Sequence, residues 1–370
     1  MQPNVIFVLL DGARNDRLDS SKDFSALKKE GTLLDNVTTA LPYTIGAINA
    51  IFSGLYGKDN GVDAYYKMFR LKDSVKILSE IFHENNYFTA CDLLSNKILT
   101  KRGFDVHQFH DEYVDNLCVR HPDFIRKCIK ESKDKPLFLF LYFSGIHTVT
   151  VSDVLKKYNW DDTNFYEKKE KNLSKYDEVF NTAGTYAKII KDTLNEIGIS
   201  KETILIFFSD HGTGVGERFG ERNYGSFTYE ETIRSFYLFI GHNITKNQHT
   251  SKLRESIDLF PTILDLAGIK NNYDGPGKTI APYLLGKEKL KEKNYTFSET
   301  GALHGPYPSP KEPNVFCVKT PKYKLMYLKT PDKWMLYDLE ADPNEINNLI
   351  DENIPIKQEL KERLLKWIQR

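Results

Sequence analysis

Three unbroken apolar runs of strand length, each cut off by polar residues, constrain the fold of this chain more than any other feature. The first is Asn4–Leu10, closed by Asp11-Gly12. The second is Leu137–Phe143, followed by Gly145-Ile146-His147, and the third is Thr203–Phe208, closed by Ser209-Asp210-His211-Gly212. A run with no period-two alternation reads as a strand covered on both faces, as in a parallel sheet with helices on either side. Helical periods lie between and beyond these runs, at 74–84, 121–132, 173–197 and 257–267. The alternation predicts an α/β sandwich around a mostly parallel central sheet flanked by helices. Ligands of such sheets bind outside the carboxyl ends of the strands, so the three endings are expected to share one site.

After about residue 290 the pattern changes to short β-like pieces at 295–298, 315–319, 324–328 and 335–339, then an amphipathic helix at 354–368. We therefore expect a main domain over 1–290 and a smaller α+β subdomain over 291–370, packed on it. The polar stretch 153–175 reads as an exposed insertion or lid, and its Tyr-rich patch around Tyr158 and Tyr166 as a solvated amphipathic face.

Charge and cysteine usage narrow the function classes. Lys and Arg number 51 against 51 Asp and Glu, so there is no basic excess to neutralise a row of phosphates, and nucleic acid is not an expected partner. No apolar run reaches the ~18 residues of a membrane helix, and the first residues lack a basic leader. The four cysteines, Cys91, Cys118, Cys128 and Cys317, have neither CxxC nor zinc-finger spacing and read as free thiols. A cytoplasmic protein is the expectation; the oligomeric state is left open.

Asp210 and His211 are adjacent at a strand end, where mixed carboxylate and imidazole donors suit zinc or manganese better than calcium or magnesium. Asp11 is a second acid at such an edge, and reads equally as an Asp-Gly turn or a helix cap. Thr44 opens the helical run 44–53, as an N-cap or as a hydroxyl at the helix terminus where an anion is stabilised. Such a hydroxyl is a feeble nucleophile until something, such as a metal, activates it.

Taken in order, Val5–Leu10 with Asp11-Gly-Ala-Arg14-Asn-Asp16, Thr44 ahead of Gly54, Ser209-Asp210-His211-Gly212, Tyr229–Arg234, Ile257–Gly268 and Leu336–Leu349 resemble the sulfatase-like branch of the alkaline phosphatase superfamily. The resemblance implies one divalent metal held by Asp11, Thr44, Asp210 and His211, with Thr44 as nucleophile. It places His147 facing the substrate as the proton donor, with a loop histidine as the alternative. Arg14 either contacts the substrate anion or pairs with Asp16. His304 either reaches the site from the subdomain or lies on a surface loop.

The chain departs from that branch at the nucleophile. Thr44-Ile45-Gly46-Ala47-Ile48 lacks the Pro, Ser and Arg that follow a sulfatase's Cys or Ser. The methyl on the Thr44 Cβ also rules out oxidation to an aldehyde. The sequence reading is thus a metal-dependent hydrolase or transferase of phosphate esters, mainly diesters, acting on a small molecule, glycan or lipid headgroup. The alternatives are a sulfuric ester or phosphonate hydrolase using unmodified Thr, and a non-catalytic module that binds a metal or glycan.

Overall fold

A computed structural model of the chain describes residues 2–149 and 159–370, so the expectations for 153–158, Tyr158 included, lie outside the described residues. The strands, in chain order, are β1 (Asn4–Leu10), β2 (Gly31–Thr38), β3 (Phe88–Leu93), β4 (Val106–Phe109), β5 (Leu137–Phe143), β6 (Thr203–Phe208), β7 (Arg234–Gly241), β8 (Gln248–Thr250) and β9 (Arg254–Glu255). They form one nine-stranded sheet in the order β4-β3-β5-β1-β6-β7-β2-β8, with β9 also on β2. Every strand runs the same way except β7, which is antiparallel to both β6 and β2. β1 lies between β5 and β6, pairing Val5 with Phe138 and Ile204. All the β5 and β6 residues are buried, as are all of β1 but Asn4, which is why these sequences are apolar throughout.

One face of the sheet packs Phe7, Phe138, Phe140 and Phe208 against Ile48, Ile51 and Phe52 of the helix Thr44–Ser53. The other packs Ile6, Val8, Leu139 and Phe207 against the long helix Lys169–Ile197. That helix buries Asn172, Tyr176, Phe180, Ala183, Ala187, Ile190 and Leu194, a stripe at helical spacing whose polar remainder faces outward. Residues 163–167 and 169–175 are helical and mostly exposed, as expected, but Phe165 and Asn172 are buried and dock the stretch on the body. Tyr166 is packed rather than solvated, its ring 5.1 Å from Phe219 and its hydroxyl accepting the Gly220 N–H at 3.0 Å.

A second sheet follows, β10 (Thr296–Thr300), β11 (Val315–Lys319), β12 (Tyr323–Leu328) and β13 (Lys333–Asp338), antiparallel throughout and covered by the helix Lys357–Gln369. No described helix is long and apolar enough to cross a membrane, and all four cysteines are free thiols.

Candidate active site

The carboxyl ends of β1, β5 and β6 are neighbours because those strands are neighbours, and the helix Thr44–Ser53 starts against the same edge. The fold thus brings Asp11, Thr44, Asp210 and His211 into one buried cluster. The Thr44 hydroxyl lies 3.3 Å from Asp11 Oδ1 and 3.2 Å from His211 Nε2. One ligand atom from each of Asp11, Asp210 and His211 falls within 4.8 Å of the others. Thr44, 7% exposed, is the least buried of the four.

The tautomer of His211 follows from its surroundings. Its Nδ1 lies 2.8 Å from the Gly212 carbonyl, which only accepts, so Nδ1 carries the proton. Nε2 is then a bare lone pair, 3.5 Å from Asp11 Oδ1 and 3.4 Å from Asp210 Oδ2. Asp210 Oδ2 is buried with no hydrogen-bond partner. Asp210 Oδ1, by contrast, accepts N–H groups from His211 at 3.0 Å and Gly12 at 3.3 Å. Acceptors facing one another with no proton between them repel, and a cation among them removes that cost. The donor set therefore fits a divalent ion.

The ionisation of these groups agrees with that fit. Burial, and then the neighbouring Asp210, push Asp11 above the ordinary carboxylate range. Burial pushes Asp210 up to about 6 against the pull of its amide donors. Burial also lowers His211, which keeps its imidazole neutral at pH 7.

His147 sits in the short helix Gly145–Val149 just beyond β5, its Nδ1 3.8 Å from Asp11 Oδ2 and its side chain 18% exposed. It borders the cluster without being one of the convergent donors. The Tyr224 ring closes the same side, 4.1 Å from the His211 ring and 5.7 Å from that of His147.

Arg14 is buried beside the cluster with its donors committed. It binds Asp16 at 2.9 and 2.8 Å, pairs with Glu217 and donates to the Thr213 carbonyl at 3.2 Å. Pairing with Asp16 is thus the alternative the geometry realises. His304 lies on the exposed face of the loop after β10, its carbonyl accepting from Ser226 Oγ at 3.4 Å, and is not among the convergent residues.

The sequence reading missed Tyr142, whose hydroxyl donates to Asp11 Oδ2 from inside an apolar strand. It also missed a second buried group, Asp92, His110 and His121, whose ligand atoms likewise lie within 4.8 Å. Alternation along β5 would have aimed Tyr142 at one face, but nothing in the spacing links Asp92 to the two histidines.

Comparison with known proteins finds sulfatases among those the chain resembles. The Delta 4,5-hexuronate-2-O-sulfatase of Bacteroides thetaiotaomicron is 30% identical over 152 residues, covering 40% of this chain and 31% of that protein. An arylsulfatase of Clostridium perfringens is 29% identical over 175 residues, 46% of this chain and 33% of its own. The aligned stretch thus spans about a third of the length of these curated relatives. Among solved structures, a 2-O GAG sulfatase superposes with a TM-score of 0.81 at 18% identity, covering 100% of this chain and 92% of its own. The phosphonate monoester hydrolase of Agrobacterium radiobacter gives 0.77 at 15%, with 99% and 95% covered.

The phosphodiester reading, which rested on Thr44 and the short string after it, finds no support among these curated relatives, which are sulfatases. The N-sulphoglucosamine sulphohydrolase C-terminal family model matches residues 220–370. The Sulfatase family model matches residues 3–269, far more than half of the sequence, and the chain belongs to the sulfatase family.

Proposed function

We propose that this protein hydrolyses sulfuric esters, those of sugars being the natural class, with unmodified Thr44 as nucleophile. The observation that carries the reading is the bare Nε2 of His211 facing Thr44, Asp11 and the partnerless Asp210 Oδ2. Asp11, Asp210, His211 and the Thr44 oxygen would hold one divalent ion. Bound there, the ion supplies Lewis-acid stabilisation of developing negative charge and a lower pKa for the Thr44 hydroxyl.

The chain's own groups do the rest. The Thr44 proton faces Asp11 Oδ1 at 3.3 Å, the acceptor when Oγ1 attacks the ester sulfur. Attack forms the Oγ1–S bond and breaks the bond from sulfur to the leaving oxygen, which takes its proton from His147 at the rim. Water then releases sulfate and restores the hydroxyl. Sugar esters follow from the sulfatases acting on hexuronate and GAG substrates to which the chain is similar. A phosphonate monoester is the second reading, favoured by the phosphonate hydrolase among the structural neighbours.

The test is an initial-rate panel with one nitrophenyl leaving group on sulfate, phosphonate, phosphate monoester and phosphate diester, with calcium, magnesium, manganese or zinc supplied in turn. Sulfate or phosphonate should lead, Thr44→Ala should be inactive, and intact mass should show Thr44 unmodified. A diester rate above both overturns the assignment. No rate on any ester, with metal bound, leaves the non-catalytic module.

A further inference from the structure

Behind the His147 helix lies the second buried group. Asp92 is the penultimate residue of β3, His110 follows β4, and Arg120 and His121 belong to the helix Leu117–Ser132. Despite the similar spacing, it differs from the Asp11 cluster in its charge balance. Asp92 Oδ1 meets His110 Nδ1 at 2.8 Å, while Oδ2 accepts from Arg120 at 2.7 Å and from Gln108 at 2.9 Å. Arg120 already balances the one negative charge, so a dication would be buried uncompensated. This is a hydrogen-bond array, not a metal site.

The array has a direction. Although burial opposes it, the hydrogen bond from His110 and the neighbouring His121 and Arg120 hold Asp92 at about 2, so its carboxylate is ionised and only accepts. His110 Nδ1 therefore carries the proton, and its Nε2 meets the Ser144 hydroxyl at 3.4 Å. An acid, an imidazole and a hydroxyl in this order resemble a nucleophile triad, but Ser144 is 1% exposed and no ester reaches it.

Ser144 instead anchors the helix that carries His147. Its carbonyl accepts the Thr148 N–H at 2.9 Å and the Thr148 hydroxyl at 3.1 Å, and that hydroxyl also donates to Glu112 at 2.5 Å. We propose that Asp92, His110 and Ser144 form a positioning array that fixes the helix Gly145–Val149 and thereby aims the His147 imidazole at the leaving-group oxygen. This rests on the proton-donor reading of His147 given above.

Leaving-group dependence separates positioning from general support, because an acid matters most to poor leaving groups. Aryl sulfates, or phosphonates if those prove the better substrates, with phenols of graded pKa are compared on wild type, Ser144→Ala, His110→Gln, His147→Ala and the Ser144→Ala/His147→Ala double variant. His147→Ala should lose roughly 10²–10³-fold on the least acidic phenol and little on the most acidic. Ser144→Ala and His110→Gln should show the same trend at about tenfold, in kcat rather than KM, with metal content unchanged. The double variant should be no slower than His147→Ala alone.

Equal losses across all phenols in the Ser144 and His110 variants, or losses that add to that of His147→Ala, overturn the array while leaving the donor role standing. A flat profile for His147→Ala overturns the donor role, and the array with it. As a readout without turnover, the metal-free protein should show a slowly exchanging downfield imidazole proton on His110 that vanishes in Asp92→Asn. Its absence in wild type overturns the array.

Discussion

At the residue scale, the site depends on the direction in which lone pairs point. Asp210→Asn and His211→Ala each remove a donor from the Asp11 cluster, so bound metal should fall well below one equivalent per chain, whereas His147→Ala should retain its ion. Metal analysis after dialysis distinguishes the two, and metal loss in His147→Ala would make that residue a ligand. Asp92 offers a test by pH. Its folded value of about 2 lies below the 3.8 of an ordinary aspartate, so its contribution is present above pH 4 and lost as pH falls toward 2. The difference is worth roughly 2 kcal/mol, and Asp92→Asn should flatten that part of a stability profile between pH 2 and 4 measured by denaturant melts. Asp11, Thr44, Asp210 and His211 were legible in the sequence because they stand at strand ends and a helix start in the order of a known family, although Asp11 and Thr44 alone also read as turn and cap residues. Tyr142 was not, since a phenol in an apolar run looks like one more core residue. Asp92, His110 and His121 come from three elements that only the folded chain makes adjacent.

At the scale of elements, the turn after β1 couples conformation to the site. Gly12 has φ +70°, and a Cβ there would sit 2.7 Å from Thr213 Oγ1, while its own N–H donates to Asp210. Gly12→Ala should cost about 1–3 kcal/mol of backbone strain and also loosen metal binding, because relief of the clash moves the amide off Asp210. Melting temperatures with and without added ion check this, and a variant as stable and as metal-avid as wild type contradicts it. The central strands were readable to the residue, since a run covered on both faces has no alternation to blur its ends. Helix starts were not. The helix expected from residue 121 begins at Leu117, where the Asn116 side chain caps it through the Cys118 N–H at 3.0 Å, and the one expected from 173 begins at Lys169. The first turn from Lys169 is polar and carries no hydrophobic period, whereas Leu117-Cys118-Val119 is apolar and is marked by its Asn116 cap.

For the whole molecule, the two sheets are joined by buried charge. Lys324 of β12, fully buried, lies 2.5 Å from Glu345 and 3.3 Å from Glu230, and Lys319 of β11 lies 2.6 Å from Glu230. Glu230 precedes β7, so these pairs cross from the small sheet to the large one. Lys324→Met leaves Glu345 without its cation and should cost about 3–5 kcal/mol in denaturant unfolding; a change below ~1 kcal/mol would mean that the network adds nothing. The central position of β1 has a further consequence, in the order of events during synthesis. The strand is made before both of its partners, which begin only at Leu137 and Thr203. At ~5–20 residues per second it waits roughly 6–25 s on the ribosome with both edges unpaired and an apolar sequence on display, and roughly 10–40 s before β6 is made. Asp11 and His211 are equally far apart in time, so ion capture follows placement of the central strands and cannot guide it. Chains released before β6 should therefore bind no metal and should partition into aggregates or onto chaperones.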